Sequence, residues 1–69
     1  MTHEVKNKYP VWTLLKDKYF NEMYRIVGHH GLACMVQKVD DMDTNRIIGK
    51  GTLYEYPTHM EMFYNVVAE

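Results

Sequence analysis

Between Tyr19 and Val67 the chain is cut into apolar pieces of strand length by turn-forming residues. Met23–Val27 is followed by Gly28-His29-His30-Gly31, then Leu32–Val39, then the polar run Asp40–Asn45. Arg46–Tyr56 follows, interrupted by Gly49 and Gly51; Pro57 ends it, and Met60–Val67 closes the series. Apolar runs this short, bounded by Gly, Pro, Asn and Asp, read as strands rather than helices. A chain of 69 residues has room for one domain with one small core.

The individual pieces carry definite expectations. Met23–Val27 alternates, with Tyr24 and Ile26 on one face. Gly28–Gly31 is expected to be a tight reversal, because two glycines bracket two residues. Leu32–Val39 is nearly all apolar at its start, as a central strand is. Arg46–Tyr56 reads as one long strand kinked at Gly49–Gly51. Met60–Val67 reads as a strand, with a short terminal helix as the alternative. Residues 10–15 read as an extended piece before a Lys16-Asp17-Lys18 turn, although Pro10 could also open a helix.

Together these pieces predict a mostly β, or small α+β, domain over residues 9–69, preceded by a loose tail over 1–8. The architecture is a strongly curved antiparallel meander with at most one short helix. In element order alone, over residues 19–67, it resembles an SH3-like barrel. The expected core is Val11, Leu14, Phe20, Tyr24, Ile26, Leu32, Cys34, Val36, Ile47, Leu53, Phe63 and Val66.

A domain this small buries only roughly 60% of its unfolded surface and usually needs a disulfide, a metal or a partner. Cys34 is the single cysteine, so an intramolecular disulfide is unavailable and a reducing, cytoplasmic setting is expected. The polar opening Met1–Lys8 is no signal peptide, and no apolar run approaches membrane-spanning length.

Few catalytic chemistries fit the chain. It contains no serine, which excludes a serine nucleophile. Cys34 lies in an apolar stretch, where a thiol is ordinarily an inert hydrophobe. His29, His30 and His59 are weak metal candidates without the spacing of a zinc site. Asp41, Asp43 and Asn45 match the first three ligand positions of an EF-hand loop. The match then fails, with Arg46 where glycine is required and Thr52 where a bidentate glutamate is required. Gly49-Lys50-Gly51-Thr52 lacks the first glycine of a phosphate loop, Thr44 standing in its place. No acid–base or nucleophile pair can be placed, so the chain is expected to be no enzyme and to hold no cofactor.

Charge and aromatic content point instead to a partner. Residues 1–30 hold five Lys or Arg against three carboxylates, while residues 31–69 hold three against six. A near-neutral chain with an acidic second half suits a basic protein better than a nucleic acid. Nine aromatic rings and five methionines beyond Met1 exceed what so small a core can hold. Asp40, Asp41, Asp43, Tyr54, Glu55 and Tyr56 are therefore the expected partner-binding residues. The expected function is a small interaction module that binds a larger protein, or a second copy of itself, and modulates or inhibits it. Compact regulators encoded by viruses or bacteria are commonly of this size. The alternative is a nucleic-acid-binding barrel using Lys16, Lys18, Arg25 and Lys50 with neighbouring tyrosines, and a His/Cys metal protein comes third.

Overall fold

A computed structural model describes residues 9–68. Five strands and one helix follow in chain order: β1 (Leu14–Asp17), β2 (Met23–His30), β3 (Ala33–Lys38), β4 (Leu53–Glu55), α1 (Pro57–Phe63) and β5 (Tyr64–Ala68). All five strands join one antiparallel sheet in the order β4-β3-β2-β1-β5. The expected meander is thus present from β1 to β4. Because every pairing is antiparallel, β4 and β5 run the same way on opposite edges, and α1 carries the chain across one face between them. The sheet is open, with no pairing between β4 and β5 to close it into a barrel.

Two layers make the core. On the face crossed by α1, Leu15, Ile26, Cys34, Val36, Met60 and Tyr64 form one cluster, with Tyr9, Tyr24 and Phe63 packed against it. Register explains the grouping: Leu15 lies opposite Tyr24, Ile26 opposite Val36, and the period of two places their side chains on one side. Burying such a side chain fully contributes about 1.5–3 kcal/mol. The other face carries the buried Leu14 and Ala33. There Arg25 ties down the loop between β3 and β4, and its Nε donates to the Thr44 carbonyl at 2.8 Å.

Several expectations are corrected. Gly28–Gly31 is not the reversal: β2 runs on through His30, and Gly28 sits just past a bulge between Ile26 and Gly28. The turn is Gly31–Leu32, with Gly31 at φ +60°, so Leu32 is exposed at its tip instead of buried. The segment from Arg46 to Tyr56 is no continuous strand. Ile47 makes one bridge to Val39, the amides of Ile48 and Gly49 both donate to the Lys38 carbonyl, and pairing resumes only at Leu53. Met60–Val67 is split between the two readings: Pro57 opens a seven-residue helix, whose Tyr64 cap passes directly into β5. The turn after β1 lies two residues later than expected, at Lys18–Phe20, because Lys16 and Asp17 still pair in β1. Val11, Phe20, Leu32, Ile47, Leu53 and Val66 are exposed, while Leu15, Val39, Met60 and Tyr64 are buried in their stead. The tail over residues 1–8 lies outside the described residues.

Candidate functional site

The β1–β2 turn is built to hold its shape. Asp17 organises it, its Oδ1 accepting from the amides of Tyr19 and Phe20 at 2.8 and 2.6 Å. The Asp17 amide donates to the Glu22 carbonyl and its own carbonyl accepts from the Asn21 amide, at 2.8 and 3.0 Å. Asn21 takes the left-handed conformation, φ +56°, which asparagine tolerates. The Lys18 amide donates to Phe63 at the end of α1, at 2.8 Å. Five hydrogen bonds therefore fix a turn whose tip holds Phe20 at 77% exposure and Tyr19 at 66%.

The end of α1 widens this aromatic surface. The rings of Tyr19 and Phe63 lie 5.7 Å apart, and His59 meets Phe63 edge-on at 5.6 Å. Met62 is exposed on the same helix, and Lys18 Nζ donates to the Glu61 carbonyl at 2.8 Å.

The acidic loop leaves the sheet at this same end, since the Val39 amide donates to Met23, the first residue of β2. Within the loop Asp40 Oδ1 accepts from the Met42 amide at 2.8 Å and Asp43 Oδ1 from the Asn45 amide at 3.2 Å, so two of the three aspartates close turns. Asp41 and Asp43 are exposed, and Met42 between them is 94% exposed. Tyr54, Glu55 and Tyr56 lie at the other end of β3, where Glu55 faces Cys34. Asp40 lies six positions after Cys34, or about 20 Å along an extended chain. The six residues expected as one site therefore form two groups. Tyr54 and Glu55 also point to opposite faces: Tyr54 packs edge-on to His30 at 5.8 Å, while the Glu55 carboxylate lies on the helix side, near enough to Tyr64 to raise its phenol.

The cations and histidines are dispersed. Arg25 donates to Thr44, Asn45 and the Trp12 carbonyl, and Lys38 pairs with Glu22 at 3.2 Å. His29 Nε2 hydrogen-bonds the Tyr9 carbonyl, His30 packs on Tyr54 across the sheet, and His59 lies on α1. Among the described residues no three His, Cys, Asp or Glu converge as a metal site would require, and no helix is long and apolar enough to cross a membrane.

One polar network sits beside the aromatic turn. Tyr24 Oη donates to Glu22 Oε2 at 2.8 Å, and Lys38 holds the other carboxylate oxygen. The Tyr24 bond, then Lys38, hold the Glu22 carboxyl below its ordinary range. Burial, then the Glu22 carboxylate, push the Tyr24 phenol up to about 12. Tyr64 stacks edge-on to Tyr24 at 5.6 Å, and burial raises its phenol too, with Glu55 adding to the effect.

No protein family, no curated protein and no solved structure matches the chain.

The aromatic turn was the surface least visible in the sequence. A single Phe after Lys16-Asp17-Lys18-Tyr19 reads as a core residue. The signal that could have exposed it was Asp17 followed by Asn21, both turn-forming side chains.

Proposed function

We propose that the protein is a non-enzymatic interaction module that docks onto a larger protein and modulates or inhibits it. What supports this reading is Phe20, a large apolar ring left three-quarters exposed on a turn fixed by five hydrogen bonds. An anchor already held in place loses little conformational freedom on binding, which is how a few aromatic side chains come to dominate an interface. Tyr19, Phe63 and Met62 widen the apolar area around it, and Asp40, Asp41 and Asp43 would steer a basic partner toward that end. The reading places the protein in a reducing compartment, where the buried Cys34 stays a thiol.

The test is capture by the intact chain from cell lysate, followed by binding kinetics with the purified partner. Phe20→Ala should raise Kd at least tenfold, mainly through faster dissociation. Reversing Asp41 and Asp43 to lysine should slow association and flatten its salt dependence. Binding unchanged by Phe20→Ala would remove the anchor, and with it this reading.

A further inference from the structure

The Arg25 guanidinium joins two segments that are otherwise separate. Its Nε donates to the Thr44 carbonyl, and one terminal nitrogen reaches Thr44 Oγ1 and Asn45 Oδ1 at 3.4 and 3.3 Å. The other terminal nitrogen donates to the Trp12 carbonyl, and the guanidinium carbon lies 4.7 Å from the centre of the Trp12 ring. All three guanidinium nitrogens are engaged, partly with the acidic loop and partly with the turn before β1.

That turn is strained. Trp12 has φ +77°, a conformation that is costly for a bulky residue and persists only where the surroundings enforce it. The enforcing contacts are specific. The Trp12 amide donates to the Ile26 carbonyl at 2.6 Å and the Ile26 amide to the Thr13 carbonyl at 3.0 Å, Thr13 closes onto the Pro10 carbonyl through both its amide and its hydroxyl, and Arg25 holds the Trp12 carbonyl and ring. The loop is closed by the Asp40–Arg46 hydrogen bond and the Val39–Ile47 bridge, is held just beyond its end by the Ile48 and Gly49 amides on the Lys38 carbonyl, and is gripped at Thr44 and Asn45 by Arg25.

We infer that Arg25 is a conformational coupler: the strained turn Pro10–Thr13 and the acidic loop Asp40–Arg46 open and close as one unit through its guanidinium fork. When the loop lifts, Arg25 loses the acceptors that orient it, and the Trp12 carbonyl and ring lose the group that holds them. Opening of the turn frees the loop by the same contacts in reverse. A partner engaging Asp41 or Asp43 would thus change the turn at Trp12 without touching it.

Native-state amide hydrogen exchange on the intact chain tests this, with Arg25→Met and Arg25→Lys compared to the parent. Lysine keeps the charge but not the fork. The reporters are the amides of Trp12 and Thr13 on one side and of Asp40 and Arg46 on the other, with Cys34 and Val36 in β3 as the reference. Loss of the charged hydrogen bonds should speed both reporter pairs by the same factor, on the order of tenfold to a hundredfold. The reference amides should be unchanged, and Arg25→Lys should resemble Arg25→Met. If Arg25→Met fails to fold, Arg25→Lys is read by the same criterion. Acceleration of one pair alone, unequal factors, or no change in either overturns the coupling.

Discussion

Phe20 and Leu15 sit five residues apart and meet opposite fates. Leu15 is fully buried under α1, whereas Phe20 projects from the turn tip. Leu15→Ala should therefore cost about 2–5 kcal/mol, and Phe20→Ala should change stability by no more than about 0.5 kcal/mol, in urea denaturation. The polar network gives a second prediction. Spectrophotometric titration should show a phenol ionising near pH 12, lost in Tyr24→Phe. The sign of the linkage follows from the direction of each shift. A phenol raised from 10.0 to about 12 on folding stabilises the fold below pH 10, and that contribution is lost as pH rises toward 12. Glu22 works the other way, since its carboxyl is lowered from 4.5: its contribution is present above pH 4.5 and lost as pH falls through the folded value.

At the level of the elements, local chemistry was legible wherever it acted through the chain's own turn. Pro57 set the start of α1, and the Asp-rich run became the loop its composition implied. Gly28–Gly31 was misleading because a strand bulge and a turn both call for glycine, and only Gly31 takes positive φ. Gly31→Ala should cost about 1–2 kcal/mol, the penalty for a side chain in left-handed backbone. Gly51→Ala, at a position with open space and no positive φ, should be close to neutral when both variants are compared by urea denaturation. The candidate surface was less legible than the elements. The expected residues fell at two ends of β3, because neighbours in a strand point to opposite faces and only register decides which end meets which loop. Phe20 was assigned to the core on hydrophobicity alone, a rule that runs only one way.

For the molecule as a whole, one helix covers the main core, and Met60 is its single buried residue. Met60→Ala should cost about 2–5 kcal/mol, a large share of the total for a domain of this size. The urea midpoint should fall accordingly, and the variant should bind a hydrophobic dye that the parent does not. The strand order has a further consequence, for the timing of synthesis. Leu15 in β1 waits for Val66 in β5, about fifty residues downstream, and such distant pairings are slow to form. On the ribosome, β1 to β4 emerge with the outer side of β1 still unpaired. Until β5 clears the exit tunnel, the nascent chain presents that bare edge.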